Sequence, residues 1–258
     1  MSAILSGLQT CFVVSFTISC FISTGQGLSS SKIHLCNEAR PVMLKLNKLA
    51  ADHAFNDARS ALTKAGADHN EHGLMFGKDT SGGITISSVM SDDTKNSSPV
   101  DIHFPGVFAD MHNHPGNTAP SAGDIYNLIK LNKAQPAIDT RFALLANGTI
   151  YAIVITDRQK ADSFASKYPP EQAPGFSPRL PEKQFIEFAD LKSYLINIRG
   201  IDKPKADEIA TAFLLDKYDS GLALFLYVRS KGFARVIVKE SDIKGDRSYR
   251  TELCEDSL

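Results

Sequence analysis

His112 and His114, two residues apart, and Asp124, ten residues further on, are the side chains of this chain best suited to carry chemistry. The stretch from Met111 to Asp124 reads M-H-N-H-P-G-N-T-A-P-S-A-G-D. On a strand, alternate side chains share a face, so His112 and His114 project together and Asn113 points away. Two neutral imidazoles and one carboxylate make a three-ligand zinc set whose fourth position stays open to water, as in catalytic rather than structural sites. Zinc in such a set lowers the pKa of its water to about 7 and polarises a carbonyl, so amide hydrolysis becomes feasible.

A hydrolytic centre also needs a base that takes the water proton and returns it to the leaving amine. Glu71, which opens the run E-H-G-L-M-F-G, is the expected base; Glu38 and Asp68 are weaker substitutes. Ser121 precedes Asp124 by three residues at the start of an expected helix, which brings both side chains to one helix end. Each piece has a plain structural reading too. H-x-H is often a polar pair at a strand end, and S-x-x-D can be a capping box. His34, His53, His69, His72 and His103 read as packing or surface residues.

Together these residues resemble the JAMM motif of the JAB/MPN metalloenzyme family: a Glu, then H-x-H, seven residues, then S-x-x-D. This chain has six residues between His114 and Ser121. The H-N-H-P form and the Pro-Ser pair are most similar to bacterial members, including the RadC-like branch. The resemblance covers residues 70–155. It implies Zn2+ on His112, His114 and Asp124, Glu71 as general acid/base, and Ser121 as a catalytic residue stabilising the oxyanion. It further implies an α/β fold, a mixed sheet sandwiched by helices as in cytidine deaminases. The implied activity is hydrolysis of a peptide or isopeptide bond in a protein or peptide substrate, including ubiquitin-like ones. Some members of the family bind no metal, so a metal-free interaction module is the alternative implied function, and a RadC-like DNA-associated protein another.

The elements that must position these residues are legible in outline. Residues 41–64 carry Leu44, Leu46, Leu49, Ala50, Ala54, Ala58 and Leu62 at a helical period, which predicts one helix. Residues 73–77 and 83–90 predict a hairpin around D-T-S-G-G, residues 91–98 a polar loop, and 107–114 a strand ending at Pro115. Residues 124–131 predict a helix. Asn147-Gly148 between 141–146 and 149–155 is a strong hairpin turn signal. The stretch 168–181 holds five of the twelve prolines and predicts a linker or long loop. It divides the expected metallohydrolase domain, residues 41–167, from a C-terminal lobe, 182–258, with helices over 185–198 and 206–218 and a hairpin over 222–238.

Composition narrows the function classes. Hydrophobic residues make up 43% and charged residues 22%, values ordinary for a folded domain. The net charge of -1, from 28 basic and 29 acidic residues, offers no field for polyanions, and no nucleic-acid partner is expected. The four cysteines, Cys11, Cys20, Cys36 and Cys254, sit at the two ends; this excludes a cysteine zinc site near the histidines and argues against a disulfide framework. Residues 1–31 contain no charged side chain and include the apolar run C-F-V-V-S-F-T-I-S-C-F-I. They read as an export signal lacking the usual basic start, which would place the protein outside the cytoplasm; a buried N-terminal element in a cytoplasmic protein is the alternative.

Overall fold

The structure is a computed structural model that describes residues 26–91, 101–172, 177–243 and 246–254. The expected export signal falls mostly, and the polar loop over 91–98 almost wholly, outside the described residues. Among those residues no helix is long and apolar enough to cross a membrane.

Two helices come first, α1 (Gln26–Ala50) and α2 (His53–Ala65). The single helix expected over 41–64 is broken because the Asp52 carboxylate accepts from the Ala54 amide at 2.9 Å and starts α2 as its N-cap, a role Asp fills far better than a helix interior. Leu44, assigned by period to the apolar stripe, is 57% exposed. Strands β1 (His72–Lys78), β2 (Ile84–Ile86), β3 (Met90–Ser91) and β4 (Ala109–His114) follow, then helix α3 (Ala122–Ala134). The second arm of the first hairpin is thus two short strands, both antiparallel to β1. Next come β5 (Thr140–Leu145), β6 (Ile150–Ile155), α4 (Arg158–Lys167), α5 (Glu182–Asn197) and α6 (Lys203–Lys217). Strands β7 (Leu222–Val228), β8 (Gly232–Ile243) and β9 (Asp246–Leu253) close the chain.

The strands form one nine-stranded sheet in the order β2-β1-β4-β5-β6-β7-β8-β9, with β3 also on β1. Only β4 and β5 run parallel; every other pair is antiparallel. Helix α3 is the crossover between the parallel pair, as parallel neighbours require. Asn147-Gly148 turns β5 into β6, with Gly148 at φ +84°, a conformation glycine adopts without strain. β7 pairs with β6 from Tyr151↔Leu226 to Ile155↔Leu222, so the strands of residues 182–258 extend the sheet that carries β4.

Side-chain alternation gives the sheet two apolar faces. Leu74, Phe76, Met111, Phe142 and Phe225 pack with Leu46, Phe55 and Leu62 of α1 and α2. Met75, Ala143, Ile153 and Leu224 pack with Ile125 and Leu128 of α3, Phe164 of α4 and Leu214 of α6. The result is a mixed α/β protein, a sheet between two helical layers. Helix α5 packs on α6 through Leu191, Leu195 and Ile209.

The cysteines depart from expectation. Cys36 and Cys254 form a disulfide, Cα atoms 5.3 Å apart across 218 residues of sequence. α1 lies against β8, and Cys254 follows β9 with its amide bonded to the Arg235 carbonyl of β8 at 3.0 Å. Tertiary packing makes the two ends neighbours; sequence spacing does not reveal it.

Candidate metal centre

β4 is a central strand with six buried residues, yet its sequence is A-D-M-H-N-H. Alternation resolves the conflict. Ala109 and Met111 enter the aromatic core, while Asp110, His112 and His114 face the layer of α3. His112 pairs with Gly73 of β1 on one side and Ala143 of β5 on the other; two small neighbours leave room for an imidazole inside the sheet. Asn113 points away, as expected, and satisfies backbone at the start of β1. It accepts from the His72 amide at 2.6 Å and donates to the Asn70 carbonyl at 2.9 Å. A Cβ on Gly66 would stand 2.7 Å from the Asn113 Nδ2, so this position has no space for a side chain.

The crossover brings in the third side chain. Ser121 is the N-cap of α3 and forms a full capping box with Asp124. The Asp124 Oδ2 accepts from the Ser121 amide at 2.7 Å and from the Ser121 hydroxyl at 2.9 Å. Because α3 begins at the carboxyl end of β4, where α/β sheets place ligands, the same carboxylate also reaches the histidines. Asp124 Oδ1 lies 2.9 Å from His112 Nε2, Asp124 Oδ2 lies 3.5 Å from His114 Nε2, and the two Nε2 atoms are 2.8 Å apart. One residue therefore both caps the helix and offers its carboxylate to the two imidazoles. His112, His114 and Asp124 form a buried group that can hold a metal ion, with ligand atoms all within 4.8 Å of one another.

The donor chemistry suits a cation. The His114 Nδ1 faces the Thr118 carbonyl at 2.7 Å. A carbonyl only accepts, so Nδ1 carries the hydrogen and a neutral His114 turns a lone pair on Nε2 toward the centre, the arrangement usual for metal-bound histidine. His112 Nδ1 is buried with no hydrogen-bond partner among the described residues. Burial pushes the His112 pKa down, against the pull of Asp124. Burial also opposes the charged form of His114, but the Asp124 charge and hydrogen bond, the Thr118 carbonyl and the Glu71 charge together raise it to about 9. Asp124, despite burial, is held well below the usual carboxylate range by His112 and His114. Without a cation, the centre holds its positive charge as a proton on His114.

His114 and Asp124 line a cavity of 960 Å³ together with Glu71, Ser121 and Arg141. Gly73 pairs with His112 across antiparallel β1 and β4; Glu71, just before β1, lines the cavity with His114, and its charge acts on that imidazole. Ser121 also lines the cavity, but its single hydroxyl hydrogen is directed at Asp124. The substitutes for Glu71 lie elsewhere. Asp68 pairs with His72 at 2.9 Å, and Glu38 is on α1, on the opposite face of the sheet. His53, His69 and His103 are exposed, outside the centre.

No family model matches this chain. A comparison with curated proteins likewise gives no match. What the centre can do is therefore read from its own geometry.

Sequence reasoning passed over Arg141. It pairs with Asp110 across β4 and β5, donating from Nε at 2.9 Å, with Nη2 at 2.8 Å from the same Asp110 oxygen. Its Nη1 is 3.7 Å from Asp124 Oδ1. The surrounding carboxylates keep it charged despite burial: Asp110, Asp124 and Glu71 raise its pKa against desolvation. Two signals were present: Asp110 continues the alternation of His112 and His114, and Arg141 is a lone charge in the apolar strand T-R-F-A-L-L.

Proposed function

We propose that this protein is a zinc-dependent hydrolase of amide bonds, peptide or isopeptide, of the JAB/MPN kind that its motif resembles. The observation that carries the reading is the convergence of His112, His114 and Asp124 within 4.8 Å beside a 960 Å³ cavity. Three nitrogen and oxygen donors, with open space on one side, are the ligand pattern of catalytic zinc. The sheet between helical layers is compatible with the cytidine-deaminase-like architecture that the resemblance implies.

Zinc held by these residues would supply a Lewis acid for the amide carbonyl and an acidified water at neutral pH. The chain's own residues do the rest. His112 and His114 present Nε2 lone pairs, and Asp124 supplies the anionic ligand while Ser121 fixes its orientation. Glu71, on the wall of the same cavity as His114, takes the proton of the attacking water and passes it to the leaving amine. For Ser121 to stabilise an oxyanion, its hydroxyl must rotate away from Asp124; the two Ser121 hydrogen bonds to Asp124 make its capping role the stronger one.

A second reading is a metal-free interaction module. It is favoured by the close contact of the three side chains without a cation, Asp124 lying 2.9 and 3.5 Å from the two imidazoles with His114 protonated. One experiment separates the two. Untagged protein is assayed for zinc by mass spectrometry, and wild type and Glu71→Gln are compared on peptide, isopeptide and peptidoglycan-type amides. The hydrolase reading expects about one zinc per chain and a loss of at least about 100-fold in rate for Glu71→Gln, in line with general acid-base contributions. Protein that takes up no zinc, or zinc protein inert on every amide, overturns it.

A further inference from the structure

The cavity that opens on the metal centre continues to a second wall built by α5 and the first turns of α6. We propose that this cavity selects an anionic substrate, one that carries a carboxylate on the part of the peptide lying against α5 and α6. The inference rests on the hydrolase reading and names the substrate class for that same site.

Charge on the lining is the first ground. With His114 neutral, as a metal ligand must be, the ionised side chains are Arg141, Arg179, Lys192 and Lys203 against Glu71, Asp124 and Asp207, four positive less three negative, or +1. Asp124 faces the histidines, and Asp207 is buried and ion-paired with Lys192. A divalent ion at the centre would bring the sum to +3.

Fixed geometry is the second ground. Arg141 is 4% exposed, and two of its nitrogens are spent on Asp110, which lies behind it off the cavity wall. Its Nη1, 3.7 Å from Asp124, is beyond hydrogen-bond range of that carboxylate. Arg141 is thus an ion-paired cation between Asp110 and Asp124 at the metal-centre end of the cavity, and it adds positive field there without being the carboxylate's own partner. Further along, Lys192 is held by Asp207 and sits 5.1 Å from the Phe188 ring centroid. Lys203, exposed at the start of α6, has no carboxylate partner among the described residues. An acidic group entering the cavity thus meets placed cations without first displacing an internal partner from Lys203.

The test uses the full chain carrying Glu71→Gln, loaded with zinc, so that peptides bind without being cleaved. A neutral dye is attached to the pentapeptide amides Gly-Ala-Ala-X-Gly, where X is Glu, Gln or Lys, and to the Gln peptide with a free C-terminal carboxylate; binding is followed by fluorescence anisotropy. The Glu peptide is expected to bind about tenfold more tightly than the Gln amide, the worth of one good charged contact, with the Lys peptide weakest. The free-acid peptide shows whether a terminal carboxylate serves as well as a side chain. Lys203→Glu should abolish most of the preference, and Lys133→Glu, an exposed site on α3 outside the cavity, should leave it intact. Equal binding of the Glu, Gln and Lys peptides, a preference that survives Lys203→Glu, or no binding at all overturns the proposal. The hydrolase reading fails separately, through zinc content and amide cleavage by the wild type.

Discussion

Ser121 and Asp124 bond to each other in both directions. The Ser121 amide and hydroxyl donate to Asp124 Oδ2 at 2.7 and 2.9 Å, and the Asp124 amide donates to Ser121 Oγ at 3.4 Å. One carboxylate therefore starts helix α3 and faces two imidazoles. Substitution separates the roles. Asp124→Asn keeps a side-chain acceptor for the cap and removes the anionic ligand. In the metal-free protein it should cost about 3 kcal/mol in urea unfolding at neutral pH, because it removes the charge that pairs with His114, and it should lower zinc affinity by at least about 100-fold through loss of the anionic donor. Ser121→Ala should cost about 1 kcal/mol, the usual loss for an N-cap, with zinc binding weakened far less. Equal zinc affinity for Asp124→Asn and wild type would remove Asp124 from the centre.

In the metal-free protein the His114 pKa is raised to about 9, against an ordinary value of about 6.5. The folded state favours its protonated form. The stability it contributes is therefore fully present below about pH 6.5 and is lost as pH rises through about 9. The size is about 3 kcal/mol. His112, pushed down by burial, acts with the opposite sign: its share is present above about pH 6.5 and is lost as pH falls through its lower folded value. Urea unfolding of EDTA-treated protein at pH 6.5 and 9.5 measures the His114 share, which should vanish in His114→Gln. A flat profile for wild type across that window contradicts the protonated imidazole.

Zinc must displace the proton that His114 carries. Apparent affinity should rise by about tenfold per pH unit between pH 7 and 8.5, because binding releases one proton. Calorimetry in buffers of different ionisation enthalpy reads that proton directly. Zinc binding with no proton exchange at pH 7 would place the metal on other side chains.

Asn113 closes two buried backbone groups at once, the His72 amide and the Asn70 carbonyl. Asn113→Ala leaves both without partners, and each buried unsatisfied group costs about 1–3 kcal/mol. The expected loss is about 2–4 kcal/mol in chemical denaturation, together with faster hydrogen exchange at the start of β1. Gly66→Ala should destabilise through the same contact, since its Cβ would press on the Asn113 amide at 2.7 Å. A Gly66→Ala protein as stable as wild type would show that Asn113 can move aside.

The Cys36–Cys254 bridge spans 218 residues. A cross-link closing so long a loop stabilises by about 2–5 kcal/mol through the unfolded chain. Cys254→Ser or reduction should lower the unfolding midpoint accordingly. Thiol counting of unfolded, unreduced protein should detect no reactive thiol at Cys36 or Cys254. Identical melts with and without reductant would show that the bridge does not form.

The sequence alone determined what is local. The alternation in A-D-M-H-N-H put His112 and His114 on one face; S-A-G-D marked the start of a helix; Asn147-Gly148 marked a hairpin. Each signal is written within a few residues, because strand period, cap chemistry and turn conformation depend on immediate neighbours. The same locality explains the misread helix over 41–64: its apolar period continues through Asp52, and only the cap geometry divides it into α1 and α2.

The tertiary structure decided which distant residues meet. Placing β1 against β4 brought Glu71 into the cavity of His114, the parallel pairing of β4 with β5 set Arg141 on Asp110, and the packing of α1 against β8 brought Cys36 to Cys254. These pairings follow from burying apolar faces over the whole chain, a sum to which every strand contributes and which no short segment reports. The donors of the centre were therefore legible one by one, whereas their convergence beside a shared cavity is a property of the folded sheet.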